Sequence, residues 1–201
     1  MASVGFRRFG YVRTLAVGLP QIELDRLPVP RLAEAQHRRI LKAYAWEEVS
    51  QLSHEDFPSP RAGAAGRFHR GHDFVNWMIR EPWVHEVGAE TSPSSGYFFS
   101  DRYTTFRYIA LRIHDRATRA PTGFVVLSVC RPNPDAPTWL KVLDYRFRNP
   151  RDQACILPIA WEIAVAHQAT QVRFSGHLGR YLAGSRLASA PTHESKRPPP
   201  W

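Results

Sequence analysis

The 201-residue chain is poor in cysteine and has no long apolar run. Its two cysteines, Cys130 and Cys155, are too few for a disulfide scaffold or a multi-ligand zinc cluster, which favours buried free thiols in a reducing compartment. No stretch of 18 apolar residues exists, so no spanning helix is predicted. Arg13 interrupts the weak apolar run near the N-terminus, whereas the apolar region of a secretory signal peptide would not normally contain an arginine. We therefore expect a cytoplasmic protein, with a transit peptide or a membrane-surface anchor left open.

Lysine is scarce as well, since 24 of the 27 basic residues are arginines, and the net charge is +9. The basic excess lies at the two ends: +4 over residues 1–70, zero over 71–140 and +5 over 141–201. Such a balance favours an anionic partner, namely nucleic acid, acidic lipid headgroups or a phosphate-bearing ligand. The charge alone does not distinguish these partners, and a solvated basic surface is favoured over a nucleic-acid footprint because no run of four or more basic residues is present.

Two helices are predicted in the first half of the chain. Residues 31–52 contain no glycine or proline and are rich in alanine, leucine, arginine and glutamate, which predicts one long helix. A shorter helix is predicted from His72 and must end before Pro82, because the residue preceding a proline is disfavoured in helical conformation.

The second half begins with three strands. Residues 106–114, 123–131 and 139–148 are rich in β-branched and aromatic side chains, and short polar loops join them, which predicts an antiparallel meander. A helix with period 3.6 follows from near Ile156, with Pro158 in its first turn, then a strand over 170–176 and a helix over 177–188.

The expected fold class is therefore α+β, with a mixed, mostly antiparallel central sheet flanked by helices in three layers. The pattern divides the chain into an N-terminal extension (1–30), one domain (31–188) and a proline-rich, disordered tail (189–201).

The loop before the Ile156 helix is rich in hydrogen-bond donors and runs from Arg148 through Asn149, Arg151 and Gln153 to Ala154. A helix N-terminus has unpaired backbone N–H groups and a partial positive charge, so it can bind phosphate. Helix starts with nearby arginines are also common without a ligand, and that alternative stays open.

The order of strands, donor-rich loop, helix, strand and helix over 123–188 resembles the acyl-CoA-binding half of the GNAT acetyltransferase superfamily. The segment RGHDFVNWMIREPWV upstream resembles an aromatic stretch of the FemAB-like branch, many of whose members lie in bacterial polysaccharide and cell-envelope loci. Of the superfamily's Q/R-x-x-G-x-G/A loop, Gln153 and Ala154 are the residues present here. The resemblance covers residues from about 70 to 188.

The resemblance implies transfer of an acyl group from acetyl-CoA or another acyl-CoA to an amine of a small molecule, sugar or peptide, without a metal. Asp144 would lie near the acceptor amine, and Tyr181 would act as general acid toward the leaving thiolate. The splayed edge of the strand ending near Arg148 would bind the pantetheine arm. The implied diphosphate-binding residues are Arg146, Arg148, Asn149, Arg151, Gln153 and Ala154.

Other interpretations explain the same residues. Asp144, Arg146 and Arg148 share one face of a strand by alternation, and ion pairing with a neighbouring strand explains them as well as catalysis does. Tyr181 can be a half-buried helix residue. Aromatic and basic residues also mix as in single-stranded nucleic-acid platforms, although no RNA-binding signature is present. The residues of that mixture are Phe106, Arg107, Tyr108, Tyr145, Arg146, Phe147 and Arg148.

Two further expectations concern partners. His69 and His72 have no cysteine or glutamate at a matching interval, so no metal site is predicted. An inactive interaction module and a homodimer also remain open, while nucleic acid is the less favoured partner.

Overall fold

The computed structural model describes residues 12–18, 31–57, 70–81, 84–86, 101–189 and 192–197. They form an α+β fold around a seven-stranded sheet with the order β2-β5-β6-β7-β8-β1-β9, which confirms the predicted class. The strands are β1 (Val12–Gly18), β2 (Tyr44–Val49), β3 (Val84–Glu86), β4 (Asp101–Tyr103), β5 (Thr105–Asp115), β6 (Pro121–Arg131), β7 (Trp139–Phe147), β8 (Gln171–Ser175) and β9 (Thr192–Arg197). The α-helices are α1 (Arg31–Ala43), α2 (His72–Arg80) and α3 (Ile156–Ala166).

The predicted meander is confirmed, because β5 pairs antiparallel with β6 and β6 with β7. After β7 the chain passes through α3 and returns as β8, which pairs parallel with β7. Strands β3 and β4 form a separate two-stranded parallel pair. The sheet is thus antiparallel except at the β7–β8 contact.

Helices cover both faces of the sheet. On the first, which we call the α3 face, α1 and α3 pack against alternate residues of the strands, and Ile156 to Trp161 of α3 are fully buried. On the second, the α2 face, Val75 of α2 packs with Leu52 and Phe124. Residues 123–130 of β6 are all buried, as expected for a central strand covered on both sides.

The start of α3 follows its prediction. Cys155 is the N-cap residue and Pro158 lies in the first turn, where its missing N–H costs no helical hydrogen bond. Cys130 and Cys155 are free and buried, as predicted. None of the helices in the described ranges is long and apolar enough to cross a membrane.

The prediction of one helix over residues 31–52 is wrong beyond Ala43. The chain leaves α1 there and forms β2, which pairs antiparallel with β5 from Tyr44 opposite Asp115 to Val49 opposite Ala110. Residues 44–49 have no glycine or proline to mark a break, so local propensity favours a helix while pairing with β5 favours a strand. Pairing with a distant strand prevails over local propensity here.

The structure also differs from the sequence prediction after β8 and at both ends. Residues 177–188, predicted as a helix, form 3-10 turns over Gly176–Gly184 and Arg186–Ser189. Val12–Gly18, within the predicted extension, and Thr192–Arg197, within the predicted tail, pair with each other as β1 and β9. The physical reason is again long-range pairing, since β1 also pairs with β8.

A partly buried polar cluster joins the second of these 3-10 turns to α1 and α3. Arg186 donates to both carboxylate oxygens of Glu34, from Nε at 2.7 Å and Nη2 at 2.8 Å. His37 is 1% exposed and lies 3.1 Å from Glu162 through Nε2, while its Nδ1 faces the Arg186 backbone N–H at 3.4 Å. Burial lowers the pKa of His37, which favours its neutral form as the acceptor from that N–H.

We predict that Glu34→Gln destabilises the protein at pH 7 but not at pH 2. Hydrogen bonds from Arg186 and then Arg38 lower the pKa of Glu34 from 4.5 to about 2. A carboxyl group whose pKa is lower in the folded state than in the unfolded state stabilises the folded state. This stabilisation is complete at pH values above the unfolded-state pKa, and it is lost as the pH falls through the folded-state pKa. In urea denaturation at pH 7, the free energy of unfolding of Glu34→Gln should be about 1 kcal/mol lower than that of the wild type. This figure allows for solvent screening of the partly exposed Glu34–Arg186 pair.

The exposed Glu55 provides the matched control for that experiment. Glu55→Gln should leave the free energy of unfolding within about 0.5 kcal/mol of the wild type at both pH values. An equal loss for Glu34→Gln at pH 7 and pH 2 would show that the loss is not caused by the ionised carboxylate.

Candidate functional site

Strand β7 diverges from its parallel neighbour. In the register of the described residues, β7 pairs with β8 only from Trp139 opposite Gln171 to Lys141 opposite Arg173. Both strands continue beyond these pairs, β7 to Phe147 and β8 to Ser175. Beyond Lys141, residues 142–147 of β7 have no ladder partner on the side of β8, which itself ends at Ser175.

A β-bulge lies at the start of the unpaired stretch. Val126 of β6 is opposite Asp144 and Leu127 is opposite Val142, so Leu143 is an extra residue on β7. A bulge bends its strand and increases the local twist, which moves β7 away from a straight partner. The bulge thus lies two residues beyond the last β7–β8 pair, where the ladder has ended.

The loop after β7 folds into a 3-10 helix, Pro150–Cys155, that runs directly into α3. Asn149 caps it, because its side-chain oxygen accepts from the Arg151 backbone N–H at 3.1 Å. The Asp152 N–H donates to the Asn149 carbonyl at 3.0 Å, and the Arg148 N–H donates to Thr122 at 2.8 Å. The amides that we expected to face a diphosphate already have partners within the protein.

Arg146 and Arg148, two of the residues expected to bind the diphosphate, lie away from this 3-10 helix. Arg146 donates to the Arg70 carbonyl at 3.0 Å and lies over the Phe57 ring on the α2 face. Arg148 donates to the carbonyls of Pro121 and Glu55 at 2.9 and 2.8 Å. Because both guanidinium groups are bound elsewhere, we remove them from the diphosphate set.

Arg151 and Gln153 remain beside the 3-10 helix, and Arg180 joins them. Arg151 is exposed, and its guanidinium makes no ion pair within the described residues. Arg180 donates to Gln153 Oε1 at 3.2 Å and lies over the Tyr181 ring at 4.7 Å. Sequence analysis did not include Arg180 among the candidate binding residues, although its position next to Tyr181 could have indicated it. Ala154 is half-buried and packs against the core.

The two expected catalytic groups lie on opposite faces of the sheet. Tyr181 packs against the core of the α3 face, and its hydroxyl donates to the Pro150 carbonyl at 3.2 Å. Asp144 lies on the α2 face, where its Oδ2 is 3.3 Å from Arg70 Nη1. Asp144 keeps a quarter of its side chain exposed, at 25%.

The proposed nucleic-acid platform is not assembled in the structure. Phe106 and Tyr108 contact each other with ring centroids 4.8 Å apart. Tyr145 and Phe147 instead pack in the core of the α3 face, and Arg107 pairs with Glu48. With two of its four aromatic rings in the core, the set offers no continuous stacking surface.

Within the ranges that the structure describes, one group of side chains could geometrically hold a metal, namely His54, His72 and Asp73. However, the imidazoles of His54 and His72 stack with centroids 3.9 Å apart, so their in-plane lone pairs do not converge. His72 also already contacts Asp73 through Nδ1 and the Leu52 carbonyl through Nε2, both at 2.9 Å. His69 lies outside the described residues.

A scan of the chain against models of known protein families found no match, and a search of curated proteins found no similar sequence.

We predict that Asn149→Ala destabilises the protein by about 1 kcal/mol, because the Arg151 N–H loses its side-chain cap. Asn149→Asp, which keeps a side-chain acceptor at that position, should retain most of the wild-type stability. Urea denaturation of the three proteins measures the difference. If the alanine and aspartate variants unfold at the same urea concentration, the cap contributes nothing and the amide is available to a ligand.

Proposed function

We propose that the protein transfers an acyl group from acyl-CoA to an amine. The observation that carries this proposal is the divergence of β7 from β8 after three residue pairs, beside the crossover helix α3. An open strand edge offers alternating N–H and C=O groups, and the pantetheine arm of CoA contains two amides that can pair with such an edge. The likeness in element order to the GNAT superfamily supports the same assignment.

The diphosphate of CoA would be bound by side chains rather than by backbone amides. Asn149 already occupies the Arg151 N–H, so the glycine-lined cradle of the superfamily has no counterpart here. Arg151 and Arg180 are exposed arginines beside the same 3-10 helix, and each can form charge-assisted hydrogen bonds to phosphate oxygens. The helical N-terminus adds a favourable field without direct amide contacts.

The positions of Tyr181 and Asp144 suit a thioester placed between the diverging strands. The amine would approach from the α2 face, and its nitrogen would attack the thioester carbonyl carbon while Asp144 accepts the amine proton. The tetrahedral intermediate then collapses, the C–S bond breaks, and the Tyr181 hydroxyl donates a proton to the leaving thiolate. Tyr181 would regain a proton from solvent, so the products are an amide and free CoA.

Acyl-CoA binding tests the first half of this proposal. We expect acetyl-CoA to bind in calorimetric titrations, and Arg151→Met and Arg180→Met each to weaken binding about tenfold, since a hydrogen bond to a charged group contributes about 1.5–3 kcal/mol. Acetyl-pantetheine, which lacks the diphosphate, should bind all variants equally. Arg39→Met, at an exposed position of α1, is the matched control and should bind like the wild type.

Release of the CoA thiol in the presence of a small primary amine tests the second half. Tyr181→Phe keeps the ring under Arg180 but removes the acid, so kcat should fall about 100-fold with acetyl-CoA affinity unchanged. Asp144→Asn should lower kcat in the same way. Unchanged turnover in Tyr181→Phe would remove Tyr181 from the mechanism, and absence of acetyl-CoA binding would favour the inactive interaction module.

A further inference from the structure

A cavity of about 330 Å³ lies at the end of the sheet where β6 ends and where β7 and β8 begin. Its lining includes Val129 from the core of the α3 face, and His167 and Gln168, which follow the last residue of α3. The proposed acyl-CoA site lies at the other end of α3, whose 11 residues span about 16 Å. The cavity is therefore separate from that site, and its volume is at the lower end of the range for small-molecule sites.

Hydrogen-bond donors line this cavity. Arg131, the last residue of β6, donates from Nε to the Ala136 carbonyl at 3.3 Å, which holds the guanidinium at the cavity wall. Its Nη1 and Nη2 have no partner within the described residues, and neither have the His167 imidazole and the Gln168 carboxamide. A carboxamide has two N–H groups, and an imidazole has at least one whatever its protonation state. Several N–H groups are thus available to a ligand.

No acidic side chain is among the described residues that line the cavity. The carboxylate nearest to Arg131 along the chain is that of Asp135, which is exposed in the loop between β6 and β7 and is not part of the lining. The other polar lining residues are threonines, Thr105, Thr138 and Thr170. A guanidinium group whose two Nη atoms are available, with no carboxylate beside it in the lining, can bind a phosphate or carboxylate group through two parallel hydrogen bonds.

The turn after α3 provides a second observation at the cavity. The Ala169 N–H donates to the Ala164 carbonyl at 2.8 Å and the Gln168 N–H to the Val165 carbonyl at 3.1 Å, which together form a Schellman motif. These bonds occupy two of the last carbonyl groups of α3, which would otherwise repel an anion. Gln168 is the left-handed residue of the motif, with φ 52°, where glycine is favoured because it has no Cβ. The side chain of this strained residue lines the cavity.

We infer that the cavity binds a small anionic molecule whose phosphate or carboxylate group is held by Arg131 and His167. Gln168 and Thr105 would form hydrogen bonds with the other polar groups of the ligand. The volume suits a compact molecule, and the carboxamide and hydroxyl groups of the lining suit one that also carries hydroxyl groups. This inference does not depend on the proposed acyl transfer.

The test compares glycerol 3-phosphate, glycerate and glycerol, which share a hydroxylated three-carbon skeleton and differ in their anionic group. In calorimetric titrations of the full chain, we expect at least one of the two anions to bind at least tenfold more tightly than glycerol. Arg131→Met should weaken binding of that anion about tenfold, because it removes charge-assisted hydrogen bonds. Arg39→Met, at an exposed position of α1, is the control and should bind like the wild type. The ratio of the two affinities identifies the phosphate or the carboxylate as the preferred group.

Gln168→Gly separates ligand binding from folding. Glycine adopts the left-handed conformation without strain, so this variant should unfold at a urea concentration at least as high as the wild type. It should nevertheless bind the preferred anion severalfold more weakly, because the carboxamide is lost. A purely structural role of Gln168 predicts no loss of binding in a variant of such stability.

Two results would overturn the inference. In the first, neither anion binds more tightly than glycerol. In the second, the preferred anion binds Arg131→Met and Gln168→Gly as it binds the wild type, which would place it elsewhere on the protein. If acetyl-CoA does not bind while an anion binds and depends on Arg131, the transferase fails and the cavity stands as an anion site.

Discussion

Strand β7 has an antiparallel partner along nearly its whole length and a parallel partner over three residues. Hydrogen bonding to β6 fixes its position, and the extra residue Leu143 lies two residues beyond its last pair with β8. The proposed acyl-CoA site depends on this difference between the long pairing of β7 with β6 and its short pairing with β8. This difference leaves residues 142–147 of β7 without a ladder partner on the side of β8, while Asp144 lies on the α2 face and Tyr181 packs on the α3 face.

The parts of the fold that could be predicted from the sequence are those coded locally. Strands β5, β6 and β7 are contiguous in the chain and joined by short loops, so periodicity and turn residues suffice for them. Pro158 places the start of α3 in the same local way. The end of α1 was missed because the segment from Tyr44 is a strand only through pairing with β5, a partner more than 60 residues away. Strands β1 and β9 were missed for the same reason.

The site was predicted in outline but not in its contacts. Asp144 and Arg146 do share a face, as their alternation indicated, although Arg70 is the partner of Asp144. Arg148 lies beyond the strand end, where alternation no longer applies, and its guanidinium binds two carbonyls. The approach of Arg180 to Gln153 depends on how two 3-10 segments pack. A spacing pattern carries no information about such packing.

The pairing of the first strand has a consequence for biosynthesis. Strand β1 lies between β8 and β9, and its first contact joins Gly18 to Gln171, more than 150 residues later in the chain. A nascent chain emerging from the ribosome must hold this segment unpaired until residues 171–175 have been translated. The β5–β7 meander can form early by local contacts. The pairing of β1 must wait for β8 and β9, at residues 171–175 and 192–197, and closure of so long a loop is slow.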